Sequence, residues 1–238
     1  MKRSKFLKSS VLGLASLSMI RLKAEDEINE KSTNLIDPNL GFNHLPNPKT
    51  YPMKNSLLIK ADSRGHANHG WLDTNHTFSF ANYYNPERMH FGVLRVINDD
   101  YIAAGAGFGT HPHENMEIIT IPFEGDLEHK DSMGHKEVIK HGDVQVMSAG
   151  TGIYHSEYNA NKDKAVKLFQ IWVFPDKRNV EPRYDQITLD TSKMKNQLMQ
   201  ILSPNPEDEG VWIHQNAWFD MGDFEAEKKL SHKLRAPQ

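Results

Sequence analysis

Cysteine is absent from the sequence. Disulfide bonds, thiolate metal sites and a cysteine nucleophile are therefore excluded, and with them zinc fingers and iron–sulfur clusters. Histidine and the carboxylates are the remaining metal-binding side chains, and the chain has 13 histidines among its 238 residues. Any metal site in this protein is expected to consist of imidazole and carboxylate ligands.

A strong excess of one charge and long hydrophobic runs are also missing. The net charge is −3, from 28 basic and 31 acidic residues, and the Lys and Arg residues form no stripe that would follow a phosphate backbone. We therefore expect no direct nucleic-acid partner. No apolar run after the first residues is long enough for a transmembrane helix, so we expect no membrane span in the mature chain.

The N-terminal residues have the pattern of an export signal. Four basic residues within the first eight positions precede a short apolar run over residues 11–20. We expect a signal segment over residues 1–24 that directs the protein to the periplasm, the alternative being an uncleaved helix on a cytoplasmic protein. Residues 25–53, rich in Asn, Pro, Lys and Glu, are expected to form a linker or loose arm.

From residue 54 onward the chain consists of short apolar or alternating segments separated by Gly, Asn, Asp and Pro. No long helical stripe accompanies them. The pattern predicts an all-β sandwich or barrel, for which the jelly roll is one common solution. The predicted strands lie at residues 56–61, 76–83, 91–97, 117–123, 144–147 and 166–174.

Two segments combine metal-binding side chains at strand spacing. His111 and His113 are two residues apart, as are His155 and Glu157. Residues i and i+2 of a strand share a face, so each segment directs two ligands the same way. Three imidazoles and a carboxylate suit iron, manganese, nickel, copper or zinc, and open metal positions are typical of non-haem iron oxygen chemistry.

Glu117 offers an alternative carboxylate. If the first ligand strand runs straight on from His111, Glu117 shares the ligand face and competes with Glu157 for the fourth position. The spacing of the residues does not decide between these two glutamates.

The same residues resemble known motifs. Gly105, His111, His113 and Glu117, followed by Gly125, are similar to the first cupin motif. Over roughly residues 54–220 the chain resembles the pirin family more specifically. The segments that carry this likeness are Thr77-Phe78-Ser79-Phe80, Gly109-Thr110-His111-Pro112-His113, Leu127-Glu128-His129-Lys130-Asp131-Ser132, Gly142-Asp143-Val144-Gln145 and Gly152-Ile153-Tyr154-His155-Ser156-Glu157.

The resemblance to pirins implies one bound divalent metal, with iron(II) expected and manganese, nickel, copper and zinc as alternatives. It selects His111, His113, His155 and Glu157 as ligands and moves Glu117 behind them, into the pocket lining. It also implies a cupin jelly-roll barrel at residues 54–180 and the start of a truncated C-terminal cupin-like domain at residues 181–238. A shortened second barrel leaves an unpaired strand edge, for which self-association is expected.

The resemblance further implies quercetin 2,3-dioxygenase activity on a flavonol or a similar small aromatic enol, with dioxygen as the second substrate. Glu157 is then expected to act as the base that takes the hydroxyl proton. The alternative is a non-catalytic pirin-like regulator or redox sensor, which uses the same metal site and binds a protein partner.

Overall fold

The computed structural model describes residues 59–232, so the expected signal segment 1–24 and linker 25–53 lie outside the described residues. Within the described range no helix is long and apolar enough to cross a membrane. Among residues 59–232, two short 3₁₀ turns, Ala61–Ser63 and Thr191–Met194, accompany fourteen strands. The strands are β1 Gly65–Asn68, β2 Leu72–His76, β3 Leu94–Ile102, β4 Gly107–His113, β5 Glu117–Glu124, β6 Asp126–Asp131, β7 Lys136–Lys140, β8 Asp143–Ser148, β9 Ile153–Asn159, β10 Val166–Val173, β11 Arg183–Thr188, β12 Met199–Ser203, β13 Val211–Trp212 and β14 Phe219–Met221.

Two antiparallel sheets form the jelly-roll barrel that the strand pattern predicts. The larger sheet has seven strands in the order β1-β2-β3-β10-β5-β8-β11, and the smaller has four in the order β4-β9-β6-β7. Neighbours in both sheets pair antiparallel. The all-β cupin expectation is confirmed.

One predicted strand, residues 76–83, is mostly irregular. The strand β2 ends at His76, and an isolated bridge between Phe80 and Tyr83 closes a turn. Ala81 has a φ of 47°, which extended backbone does not adopt. The alternation of apolar residues in this segment therefore reflects side chains packed around a turn.

An apolar core fills one end of the barrel, between the two sheets. Strands of the large sheet and strands β6 and β7 of the small sheet contribute to it, each through alternate residues. Its buried members are Leu72, Ile102, Leu127, Ile139, Val166 and Leu168. Because this end is closed by aliphatic side chains, the polar interior positions are confined to the other part of the barrel.

A second core lies on the outer face of the large sheet. Ile119 and Val173 contribute from the sheet, and they pack with residues of a third sheet in the order β13-β12-β14. This third sheet lies in the C-terminal region for which the sequence predicts a second cupin-like domain. Its buried residues in the core are Ile201, Leu202, Val211 and Ile213.

The first barrel extends further along the chain than residue 180. The strand β11 follows that position, yet it pairs with all six residues of β8, from Arg183 opposite Ser148 to Thr188 opposite Asp143. The chain therefore continues into the edge of the large sheet before it enters the third sheet, and the domain boundary at 180/181 stays a prediction.

Replacement of Leu202 tests whether the third sheet stabilises the barrel. Leu202 is fully buried in the outer core, so Leu202→Ala should lower the free energy of unfolding by about 2–5 kcal/mol. The exposed Leu230 is the control, and Leu230→Ala should change stability by less than about 0.5 kcal/mol. Denaturant unfolding followed by circular dichroism measures both, and equal stabilities for the two variants would contradict this packing.

Candidate metal centre

Strands β4 and β9 bring three histidines together inside the barrel. His111 lies directly opposite His155 in the pairing of the two strands, and His113 follows two residues on. The ring centroids are 4.4 Å apart for His111 and His155, and 4.9 Å apart for each of the other two pairs. A ligand nitrogen from each histidine lies within 4.8 Å of those of the other two.

The local backbone of β4 makes this arrangement possible. The register of β4 against β9 shifts between Phe108 and His111, as a β-bulge does. Before the bulge, Gly107 lies against the backbone of Glu157 and Tyr158 so closely that a Cβ atom would collide with it. A glycine is needed there for the ligand strands to stay paired.

The hydrogen bonds leave free ring nitrogens directed at the cluster. The Nδ1–H of His111 donates to the carbonyl oxygen of Gly109 at 2.8 Å, which leaves Nε2 as the lone-pair nitrogen. The Nε2 of His155 is buried and has no hydrogen-bond partner in the part of the chain that the structure describes. An orphaned buried nitrogen beside two further imidazoles fits a divalent transition metal, which takes neutral imidazole as a ligand.

Burial keeps two of the rings neutral. Desolvation, together with the neighbouring His155 and His111, lowers the pKa of His113 to about 3. Desolvation, with His111 and His129, likewise lowers the pKa of His155 to about 3. Both imidazoles are therefore in the unprotonated, ligand-competent form at neutral pH.

Glu157 lies beside this cluster and is held by the opposite sheet. Its Oε2 accepts a hydrogen bond of 2.8 Å from Nε2 of Gln170, a residue of β10. Glu157 also forms a second group of close ligand atoms with His155 and His129, all within 4.8 Å of one another. One carboxylate oxygen of Glu157 is thus fixed by the Gln170 amide. The carboxylate faces the barrel interior, as the histidines do.

His129 is a residue next to the site that the sequence analysis did not single out. The structure buries it completely, with its ring 5.3 Å from that of His155. The pattern that could have identified it is the alternation of a strand, since Leu127, His129 and Asp131 of β6 are buried while the residues between them are more exposed. The charged residues Glu128 and Lys130 at the intervening positions make the segment polar throughout and hide this period of two.

The wall opposite the histidines combines an aromatic ring with polar side chains. The Trp172 ring meets that of His113 edge-on at 4.9 Å between centroids. Thr120 and Gln145 are paired across β5 and β8, and both are buried with side-chain polar atoms that lack a partner, as is Trp172 Nε1. Such atoms are costly unless a ligand or ordered water satisfies them, so this wall is suited to contact a polar molecule.

Comparison with known proteins agrees with the fold. The pirin family model matches residues 59–173, and the model of the quercetinase C-terminal cupin domain matches residues 200–238. Quercetin 2,3-dioxygenase of Escherichia coli (strain K12) is 56% identical over 159 residues, which are 67% of this chain and 68% of that protein. The chain belongs to the pirin family.

Two further relatives support this assignment. A pirin-like protein of Caulobacter vibrioides is 53% identical over 114 residues, 48% of this pirin and 49% of that protein. The crystal structure of the bacterial pirin YhhW from Escherichia coli in complex with nickel(II) has a TM-score of 0.64 at 52% identity and covers 68% of each chain. Pirins bind a metal, and the histidine cluster of this pirin is the corresponding candidate site.

Glu117 does not line the site. It is paired with Val173 and Ser148 across the large sheet, on the face that packs against the third sheet, and its Oε2 accepts a hydrogen bond of 2.7 Å from Ser148 Oγ. Trp172, the neighbour of Val173, faces His113 instead. The expectation that Glu117 competes for the metal or stands behind the ligands is therefore corrected: the β-sheet separates it from them.

The buried carboxyl of Glu117 should make stability depend on pH. Burial raises its pKa from 4.5 to about 7, against the opposing effects of Ser148 and Arg183. A raised carboxyl pKa stabilises the protein fully below the unfolded pKa, and this contribution is lost as pH rises through about 7. The loss should be on the order of 1–3 kcal/mol.

Glu117→Gln should lack this contribution, so its stability relative to the native protein should improve from pH 4.5 to pH 8 in denaturant titrations. A constant difference would contradict the assignment.

Proposed function

We propose that this pirin is a metal-dependent dioxygenase that opens the ring of a flavonol such as quercetin with dioxygen. The observation that carries the proposal is the buried cluster of His111, His113 and His155, with an unpartnered Nε2 on His155. The name of the Escherichia coli relative, quercetin 2,3-dioxygenase at 56% identity, supports the substrate class.

His111, His113 and His155 would hold the metal, and Glu157 would complete the set from the same strand as His155. Fe(II) is the metal we propose, with manganese, nickel, copper and zinc as alternatives; nickel(II) is the ion in the related Escherichia coli structure. When bound, the metal supplies a Lewis acid for the deprotonated substrate oxygen and a redox partner for dioxygen.

Glu157 would take the proton from the flavonol hydroxyl. Its Oε2 accepts the hydrogen bond from Gln170, so Oε1 would bind the metal with one lone pair and accept the proton with the other. A general base must lie within hydrogen-bond reach of the proton that it removes, and a carboxylate next to the three histidines meets this condition for a hydroxyl bound there.

The surrounding side chains would orient the substrate. His111 is the most accessible of the three histidines, so the substrate would approach on its side of the cluster. The ring of Trp172 offers an apolar surface beside His113. Buried aromatic and aliphatic neighbours exclude water from the inner side, which strengthens electrostatic interactions with a bound anion.

Removal of one histidine ligand should abolish both metal binding and turnover. His113→Ala should lower metal affinity at least ~100-fold, beyond the ~10–100-fold typical of residues that only support a ligand. Metal analysis after dialysis, joined to an aerobic assay of quercetin absorbance with iron, manganese, nickel or copper loaded, measures both. The control is the exposed His141, for which His141→Ala should behave as the native protein does.

The same experiment separates the two candidate functions. Metal binding with loss of quercetin absorbance supports the dioxygenase. Metal binding without any such loss, for all four metals, would reject it in favour of the non-catalytic regulator.

Replacement of Glu157 by glutamine tests its role as the base. Glu157→Gln keeps the shape of the side chain but removes its basicity, so the rate should fall by about 10²–10⁴-fold at saturating metal. Metal content is measured on the same samples, since the carboxylate is also a proposed ligand. A variant that retains metal and full turnover would show that the proton leaves by another route.

A further inference from the structure

Asp131 is a buried carboxylate fixed as a hydrogen-bond acceptor next to the metal centre. Its Oδ1 accepts from the backbone N–H groups of Met133, at 2.9 Å, and His135, at 3.1 Å. The Nδ1 of His135 lies 2.9 Å from Oδ2 of the same carboxylate. Several donors around one carboxylate favour its ionised form, which accepts hydrogen bonds and donates none.

The next residue in this chain of contacts is His129. Its Nε2 lies 3.1 Å from Asp131 Oδ2. Since the carboxylate only accepts, Nε2 must carry the proton, and in a neutral imidazole Nδ1 then bears the lone pair. That Nδ1 lies 3.5 Å from Nδ1 of His155.

We propose that Asp131 and His129 form a positioning pair that sets the tautomer of His155 and directs its Nε2 lone pair at the metal. The Nδ1–H of His155 points to the His129 lone pair, and this leaves Nε2 as the bare nitrogen, which has no partner among residues 59–232. The inference rests on the metal centre put forward under the proposed function and assigns His129 and Asp131 to its support.

The sheet explains why His155 needs a side chain for this purpose. His111 lies on β4, an edge strand, and its Nδ1–H uses the carbonyl of Gly109 within the bulge. His155 lies on β9, which is paired on both sides, by β4 and by β6. Backbone carbonyls around a central strand are committed to the ladder, so the acceptor for His155 must come from a neighbouring side chain.

The packing around His129 is consistent with a fixed ring orientation. Tyr184 lies against His129 at 4.8 Å between ring centroids, and the Tyr184 hydroxyl donates to Gln186 at 2.6 Å. His129 has no exposed surface. An apolar residue would fill such a position without the cost of burying a polar ring, so the buried imidazole points to a hydrogen-bonding role.

Two substitutions of His129 separate hydrogen bonding from packing. His129→Phe keeps a ring against Tyr184 but removes the acceptor, whereas His129→Asn is smaller but can place Oδ1 near the position of Nδ1. We expect His129→Phe to weaken Ni(II) binding by about 10–100-fold in competition with a chelator. His129→Asn should bind Ni(II) more tightly than His129→Phe does. The opposite order, which a packing role predicts, would overturn the proposal.

A second readout follows the proton itself. In the Co(II)-loaded protein, the paramagnetic metal shifts the N–H signal of a ligand imidazole, so the proton on His155 Nδ1 is observable by NMR. The signal should exchange slowly with solvent in the native protein and in His129→Asn, and it should move or exchange faster in His129→Phe. An unchanged signal in His129→Phe would overturn the assignment of the tautomer.

Asp131→Asn provides a test that does not alter ring packing. It removes the charge at nearly constant volume, so Ni(II) affinity should fall while the circular dichroism spectrum is retained; unchanged affinity in this variant would contradict the pair. If the native protein itself binds neither Ni(II) nor Co(II), the proposed metal centre fails together with this inference. If the native protein binds and the variants bind equally well, the inference alone fails.

Discussion

The pairing of β4 with β9 is the constraint on which the site depends. It places His111 opposite His155, and the period of two then puts His113 and Glu157 on the same interior face. A slip of β4 by one residue against β9 would turn His111 and His113 away from His155 and Glu157. The pairing is held by Gly107, which permits close approach to β9, and by the apolar core at the closed end of the barrel.

The barrel interior keeps its buried imidazoles unprotonated and holds its polar side chains in fixed orientations. Desolvation lowers the pKa of His113 and His155 to about 3, so both rings are uncharged at neutral pH. Gln170 fixes Glu157 from the opposite sheet, and Asp131 fixes His129 from the same sheet. Glu157 and His129 are thus each oriented by a partner on a regular strand, which is more precise than support from a loop.

The sequence predicted the barrel and the three-histidine cluster because both follow from local periodicity. His111, His113 and His155 lie where the alternation of a strand puts them. The alternative position of Glu117 was wrong because the chain does not continue straight: β4 ends at His113, and Asn115 has a φ of 49°, after which β5 enters the other sheet. A single residue with a left-handed backbone conformation between two strands leaves no trace in the pattern of apolar residues along the sequence.

The burial of His129 and the placement of β11 depended on long-range pairing. His129 is opposite Glu157 in the register of β6 and β9, and only that pairing brings it to the ligands. The strand β11 is equally invisible from composition, since its residues are only partly buried at a sheet edge. Side chains whose role comes from a partner thirty or forty residues away cannot be assigned from their immediate neighbours.

The two faces of the large sheet separate the uncharged histidine cluster from buried ionisable residues. On the inner face, Trp172 meets His113; on the outer face, Arg183 stacks on the Trp212 ring with its Cζ 3.8 Å from the centroid and donates to the Trp212 carbonyl. Glu117 and Arg183 lie in the same row on this outer face. Because successive side chains of a strand alternate between faces, changes in how the third sheet packs reach the histidines only through the shared backbone of the large sheet. Substitutions can therefore change the chemistry of the histidine cluster and the stability of the contact between the large sheet and the third sheet separately.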